Sequence, residues 1–291
     1  MKEETLLVIA LPFFLSTVLF EYFFLKDRPN VVGHTLKDTL ASLSMGIGFL
    51  GWDFLVKGFT VAAYATAYQF RVFEMGDSIW SYLGLLIALD FFYYWYHRTH
   101  HEIRILWAAH VNHHSSQHYN LSTALRQSWT SVFSHWVFML PLALAGWRPD
   151  QILLIGLVNL IYQYWIHTES VDRMGIFEWV LMTPSHHRVH HGSNPHYLDK
   201  NYGGLLIVWD RLFGTFQVED EPVKYGLTKN ITSFNPIVIA YHEHVAIIRD
   251  VWNSSNWREG LRSIFASPAS LADRPIKYRP TPIDGGERDP A

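Results

Sequence analysis

Residues 6–25 read LLVIALPFFLSTVLFEYFFL, an apolar run with one ionisable side chain, Glu21. A helix needs roughly 20 apolar residues to cross the hydrocarbon core of a bilayer, so runs of this kind limit the fold more than any other feature. A signal peptide would show a shorter apolar region and a small-residue cleavage site; this stretch has neither, which predicts a retained anchor. Residues 40–68 are apolar and rich in Gly and Ala but carry Asp53 and Lys57, which predicts one kinked span or a hairpin. Residues 79–96 form a third span. Residues 131–146 and 152–166 form a tight pair joined by Trp147, Arg148, Pro149 and Asp150. The expectation is an all-α integral membrane bundle of about four to five spans.

Hydrophobic residues make up 49% and charged residues 17% of the chain, yet mean hydropathy is only +0.04. A strongly polar part must therefore offset the apolar one. The formal net charge of -3 argues against a nucleic-acid partner, because phosphate binding requires a basic surface. The absence of Cys excludes disulfides and thiolate metal sites. Aromatic belts mark membrane interfaces, and Trp80, Tyr93 to Tyr96, Trp129, Trp147, Tyr164 and Trp165 sit at the predicted span ends. If residues 131–166 go out and return, His97, His110 to His114, His167 and His186 to His191 emerge on one side. Lys26, Arg28, Lys37, Arg98, Arg104 and Arg126 then predict that this side is cytoplasmic.

The expected organisation is an N-terminal transmembrane region over 1–78, a catalytic region over 79–230, cap helices over 231–266 and a disordered tail over 267–291. Residues 97–128 and 167–260 would form a polar, histidine-rich helical cap. Within it, residues 202–216 are apolar but for Asp210 and Arg211, and fit either the membrane interface or the core of the cap.

Histidine is the anomaly. There are 17, and thirteen lie between His97 and His191. They fall into three motifs: His97-Arg-Thr-His-His101, His110-Val-Asn-His113-His114 and His187-Arg-Val-His190-His191. Residues three and four apart share a helix face. His97 and His101 should therefore point together, and each HxxHH motif should present a three-imidazole face. Thr183 as N-cap, Pro184 at the first position and Gly192 as terminator predict a short helix around the third motif. One such pair is more often surface decoration than a ligand set. Three motifs in a chain without Cys are not, because clustered half-buried imidazoles cost free energy unless something pairs them. These histidines exceed what one tetrahedral zinc can use, which predicts two ions. Imidazole suits Zn, Cu, Fe and Ni alike. Asp90, Glu102, Glu169, Asp172 and Asp199 could orient imidazoles, although Glu102 and Asp172 read better as solvated. Asp90, seven residues before His97 inside a predicted span, is a functional candidate by its place.

Further residues extend the pattern: Asp90-Phe-Phe-Tyr-Tyr-Trp-Tyr-His97, Asn112-His-His-Ser-Ser116, Thr123-Ala-Leu-Arg126, Tyr164-Trp-Ile-His-Thr-Glu169, Thr183-Pro-Ser-His-His-Arg-Val-His-His-Gly192, Asp199-Lys-Asn-Tyr-Gly-Gly204 and Trp209-Asp-Arg-Leu-Phe-Gly-Thr-Phe216. Together with the three motifs, this string resembles the fatty acid hydroxylase/sterol desaturase superfamily of membrane di-iron enzymes, from about residue 90 to 228. The segments around His167, His187 and Tyr225-Gly-Leu-Thr228 are similar both to alkylglycerol monooxygenases and to bacterial C-5 sterol desaturase-like proteins. The resemblance implies metal ligands at His97, His101, His110, His113, His114, His187, His190 and His191, with His167 a ninth. His100 and His186 are extra; each could support a ligand or compete as one, and Asn201 joins Asp90 among the supporting residues. His34, His118, His135, His196, His242 and His244 match no motif and read as structural or surface residues.

The resemblance further implies two iron ions that use O2 to attack an unactivated C–H bond of a membrane lipid, giving an alcohol or a double bond. No GxGxxG or flavin motif is present, so electrons must come from outside: a cytochrome b5 or ferredoxin-type donor, or tetrahydrobiopterin. Two other readings compete, a histidine-rich membrane zinc transporter and a metal-binding protein without redox activity. Transporters place their ligands near the bilayer midplane, whereas these motifs follow the spans.

Overall fold

The computed structural model describes residues 3–25 and 31–272. Among them there is no strand, only two isolated antiparallel bridges, Leu181 with Leu206 and Gly192 with Tyr225. Five helices build the bundle: α1 (Glu3–Leu25), α2 (Leu36–Gln69), α3 (Ile79–Glu102), then, after the one-turn helices α4 (Arg104–Trp107) and α5 (Val111–His114), α6 (Val132–Ala145) and α7 (Pro149–Trp165). The remainder is α8 (Pro184–His190), α9 (Val208–Phe213), α10 (Pro236–Trp252), α11 (Trp257–Phe265) and α12 (Pro268–Ala272), with 3-10 turns at Thr123–Leu125 and Gly175–Trp179.

The second apolar stretch is one continuous helix, so it is a single span and not a hairpin. Asp53 and Lys57 are four apart and share one face, so they leave the rest of the cylinder apolar. At 1.5 Å per residue, its 34 residues span about 51 Å. It is long and apolar enough to cross a membrane; Val8–Phe24 and Val132–Ala145 are shorter apolar helices. The outer faces fit lipid rather than water: Ile47 is 71% and Phe54 80% exposed on α2, with Val8 and Phe20 on α1 similarly bare.

Contacts fix the helix directions. At one end of the bundle Trp147 Nε1 donates to Ser81 O (3.2 Å), Val72 N to Leu144 O (2.8 Å), and Arg148 pairs with Asp77 (2.8 Å). At the other, Trp129 Nε1 donates to Met45 O (2.9 Å), Arg126 pairs with Asp38, and Glu21 near the end of α1 accepts from Leu121 N (2.6 Å) and from Thr168. Consecutive helices therefore alternate in direction, and the C-terminal ends of α1, α3 and α7 meet the N-terminal ends of α2 and α6. All three histidine motifs lie at this second end. Between the ends, Leu85, Leu89, Met139, Leu142, Ile152 and Ile155 pack α3, α6 and α7 into one core with Tyr64 of α2.

Several residues differ from their sequence reading. Tyr94 and Tyr96 do not form an outward belt; both are buried, Tyr94 stacked on Phe213 (5.3 Å) and Tyr96 against His100 (4.0 Å). Trp147 is buried as well, whereas Trp80 is exposed. Arg104 and Arg126, two of the cations behind the cytoplasmic expectation, are buried and paired, Arg104 with Glu243 and Asp250 (2.6 Å each) and Arg126 with Asp38. Lys26 and Arg28 lie outside the described residues. Of the tail, Pro268–Ala272 is helical, and the part from residue 273 lies outside the described residues.

Candidate metal centre

α3 runs past the predicted span end to Glu102, so His97 and His101 ride on its last two turns. His110 enters α5 with φ -140° and ψ -27°, and His113 and His114 complete that single turn. Pro184 begins α8 as expected, and His191 caps its end. The Thr183 side chain makes no capping hydrogen bond, and Gly192 keeps a negative φ; a Cβ there would meet Tyr197 Cδ2 at 2.8 Å.

The nine histidines converge in two sets. His97, His101, His110, His114 and His190 form one, and His113, His167, His187 and His191 the other, with the potential ligand atoms of each set within 4.8 Å of one another. The second and third motifs are thus each divided, rather than each presenting a single three-imidazole face. Successive residues turn about 100° around a helix, so adjacent His113 and His114 diverge too far to face one point. His110 and His114, four apart, stay together, as do His187 and His191. The sets touch: the His114 and His191 rings stack at 4.4 Å.

Backbone carbonyls orient the rings. Nδ1 of His97 lies 2.8 Å from Tyr202 O, of His190 2.9 Å from Lys200 O, of His167 2.7 Å from Gln163 O and of His113 3.3 Å from Arg126 O. A carbonyl only accepts, so each of these Nδ1 atoms carries the proton and each Nε2 keeps its lone pair. His113 Nε2 and His167 Nε2 then face each other at 3.1 Å with no hydrogen between them. His187 Nε2 lies 3.0 Å from His167 Nε2, and His97 Nε2 2.9 Å from His110 Nε2. Nε2 of His101, His190 and His191 is buried with no partner. Converging lone pairs in a buried site repel unless a cation lies among them, so the arrangement fits metal ions in both sets.

Burial first, and then repulsion from neighbouring imidazoles, pushes His110, His114, His187 and His191 far below the usual imidazole range; burial does the same to His113 and His190. Burial brings His167 down to about 4. At neutral pH these rings are uncharged and able to ligate.

The supporting residues are placed as follows. His100 turns away from both sets, Nδ1 on Tyr96 O (2.7 Å) and Nε2 on Ser134 Oγ (2.9 Å). His186 faces Phe216 (5.5 Å) and belongs to neither set. Asp90 touches no motif histidine; it accepts from Leu205 N (2.7 Å), Leu206 N (3.0 Å), Trp209 Nε1 (2.9 Å) and Asn159 Nδ2 (2.9 Å). Asn201 donates to His186 O (3.0 Å) and Gln217 O (2.8 Å). Asp199 Oδ1 lies 3.6 Å from His101 Nδ1. Glu169 accepts from Val32 N (3.0 Å) rather than from an imidazole, and Glu102 pairs with Arg98 (2.8 Å) at the surface. Asp172 is exposed.

Residues 82–215 match the protein-family model described as fatty acid hydroxylase. This stretch contains both histidine sets, Asp90 and Asn201. Alkylglycerol monooxygenase of Homo sapiens is 42% identical over 265 residues, which is 89% of this chain and 58% of the human protein. Alkylglycerol monooxygenase of Danio rerio is 40% identical over 272 residues, 91% of this chain and 60% of that one. An ornithine lipid hydroxylase of Rhizobium tropici is 30% identical over 196 residues, 66% of this chain and 58% of that protein. The chain belongs to the fatty acid hydroxylase superfamily. It spans somewhat over half the length of the alkylglycerol monooxygenases it matches. No solved structure matches it.

In this member of the superfamily the loop over residues 199–204 holds the first set through main-chain carbonyls, a role that the side-chain reading of Asp199 and Asn201 does not include. Asp199 and Asn201 adopt left-handed backbone (φ 58° and 56°), which turns Lys200 O and Tyr202 O toward His190 and His97. Asp210 fixes the same loop by accepting from Tyr202 N (2.7 Å), Gly203 N (2.8 Å) and Thr215 Oγ1 (2.7 Å). Burial raises its carboxyl to about 6. Residues 202–207 are accordingly cap core, and only the outer side of α9 is exposed. The Tyr202 ring lies 5.2 Å from His101. The one sequence signal for this loop was the pairing of Asp and Asn two apart before Gly-Gly, since both tolerate left-handed backbone.

Proposed function

We propose that this protein is a multi-pass membrane enzyme in which the two histidine sets hold two iron ions that use O2 to oxidise a C–H bond of a lipid. The observation that carries the reading is the pair of adjoining imidazole sets with converging Nε2 atoms at one end of an apolar helical bundle. In this reading α1, α2, α3, α6 and α7 cross the bilayer and the histidine end faces the cytoplasm. Residues 79–230 act as the catalytic region, and residues 231–266 join its cap. The ligands are His97, His101, His110, His114 and His190 for one ion, and His113, His167, His187 and His191 for the other. Iron bound there supplies the O2 chemistry.

The chain's own part is positional. Carbonyls of Lys200, Tyr202, Gln163 and Arg126 hold the Nδ1 protons, which keeps Nε2 available and the rings fixed. Burial keeps bulk water from the site and the imidazoles neutral. A lipid chain reaches this level sideways from the bilayer, along α3, α6 and α7, so the reacting carbon is positioned rather than activated by a side chain. Reducing equivalents come from a cytochrome b5 or ferredoxin-type protein or from tetrahydrobiopterin.

Similarity over 89% of the chain to an alkylglycerol monooxygenase favours an ether lipid and oxygen insertion over desaturation. The test is untargeted lipid mass spectrometry of membranes from cells expressing the wild type or His190→Ala. Loss of an alkylglycerol lipid with appearance of a fatty aldehyde, or gain of one oxygen by another lipid, supports a monooxygenase. A lipid that loses two hydrogens marks a desaturase. Identical lipids, with iron bound and donors present, overturn the reading.

A further inference from the structure

α11 is amphipathic in an inverted sense. Its small residues Gly260 and Ser263 are buried against the protein, while Trp257, Leu261 and Phe265, each four residues apart, are exposed along one outward stripe. The adjoining α10 repeats the pattern: Ile239, Ala240, Ala246 and Ile247 are buried, and Ile237, Ile248 and Trp252 lie bare within about 60° of arc. Trp252 is 86% and Trp257 70% exposed, at the turn that joins the two helices. A groove lined by Ile247, Ile248, Val251, Trp252 and Ile264 runs between them.

We infer that this outward face of the α10–α11 hairpin seats in the lipid headgroup layer beside the histidine end of the bundle, an inference that rests on the membrane reading above. Three observations select lipid as the occupant. First, Ile239 and Ala240 of α10 pack on Ala41 and Met45 in the opening turns of α2, so the hairpin sits at the level where that long apolar helix begins. Second, the exposed aromatics at its turn are tryptophans, whose amphipathic rings favour the membrane–water interface. Third, the exposed cations Arg258 and Arg262 flank the α11 stripe, with Arg258 over the Trp257 ring at 5.4 Å, where lipid phosphates would lie. A helix of this design lies in the interface plane with its apolar face about 5–10 Å deep.

The chain has no cysteine, so single spin labels report cleanly. The full chain, in nanodiscs of phosphatidylcholine with phosphatidylglycerol, would carry one label at a time through Trp252→Cys, Leu261→Cys or Phe265→Cys. Leu55→Cys on α2 serves as the lipid reference and Asp172→Cys as the aqueous one. The measurement is collision with O2, which partitions into lipid, against collision with a water-soluble nickel chelate. The expected result is a ratio at the three hairpin positions several-fold above that of the Asp172 label and below that of the Leu55 label. Hairpin labels as aqueous as the Asp172 label, with the Leu55 label in lipid, overturn the inference alone and leave the face to a protein partner. Spin–spin broadening that grows with protein density assigns the face to a second copy and overturns it too. An aqueous Leu55 label overturns the membrane reading together with the inference. The three hairpin side chains are exposed, so the variants keep the fold; agreement among them guards against one misleading site.

Discussion

Asp90→Asn should loosen the first histidine set although Asp90 contacts none of its rings. The carboxylate is fully buried and accepts four hydrogen bonds, from Leu205 N, Leu206 N, Trp209 Nε1 and Asn159 Nδ2. Asparagine offers one oxygen, so two donors keep an acceptor and two face an NH2 group. At about 1.5–3 kcal/mol for each hydrogen bond to a charged group, the loss is roughly 3–6 kcal/mol. It falls on residues 205–209, which continue directly from Tyr202, whose carbonyl fixes His97. Purified protein in detergent should melt at lower temperature and bind less iron by elemental analysis. Asp210→Asn should do the same from the other side of the loop, since its single oxygen can serve only one of Tyr202 N and Gly203 N, which bond different carboxylate oxygens. Because both act on one loop, the double variant should lose less than the sum of the two. Asp90→Asn with wild-type melting and full iron would refute the view that this loop governs the set.

His113→Ala and His114→Ala, neighbours in sequence, should each halve the bound iron by emptying different sets; loss of both ions in both variants would mean one shared cluster. Gly204→Ala puts a Cβ 2.8 Å from Tyr93 Cδ1 and 2.9 Å from Asp90 Oδ1, so it should cost about 1–3 kcal/mol in thermal stability, and an unchanged melt would count against the packing described. Arg126→Met strands buried Asp38 and should cost about 3–5 kcal/mol, whereas Asp38→Leu with Arg126→Met should recover most of it in denaturant titrations. Metal-stripped protein should be labile to acid. His167 titrates near 4 when folded and near 6.5 when unfolded, so the unfolded chain binds more protons between these values and stability falls as pH drops through that window. A flat unfolding midpoint from pH 6.5 to 5 would contradict this; the iron-loaded form should hold to lower pH.

The nine histidines that converge follow from the family resemblance, while four-residue spacing by itself accounts only for pairs that share a helix face. His97 with His101, and His110 with His114, needed only that rule. The division into two sets needed more: α5 and α8 are short helices whose neighbours on each side are other histidine-bearing segments, and no local pattern says which neighbour a ring will meet. Composition also hid direction. Tyr94 and Tyr96 have the same letters whether they face lipid or core, and only their contacts with Phe213 and His100 decide. The pairing of Arg104 and Arg126 is invisible in the sequence because their partners, Glu243, Asp250 and Asp38, lie far along the chain. The extra histidines were undecidable for the same reason: His100 is removed from the sets by Ser134, thirty-four positions away.

The largest gap between sequence and site is the role of main-chain oxygen. Four of the nine rings are oriented by carbonyls, a group every residue owns and no motif advertises. What sequence can carry is the means of aiming them. Two non-glycine residues in left-handed backbone, two positions apart, are sterically costly and persist only where surrounding contacts over-determine them. Asn201 is over-determined by His186 O, Gln217 O and Gln217 N, and the loop beyond it by Asp90 and Asp210. Asp90 and Asp210 therefore act on backbone N–H groups of this loop and not on imidazoles, whereas Asp199 lies beside one, 3.6 Å from His101 Nδ1. This also explains why Asp90 reads as a functional residue in sequence yet stands apart from the rings: it sets their angle through the loop, and a substitution there should disturb metal binding without removing any ligand.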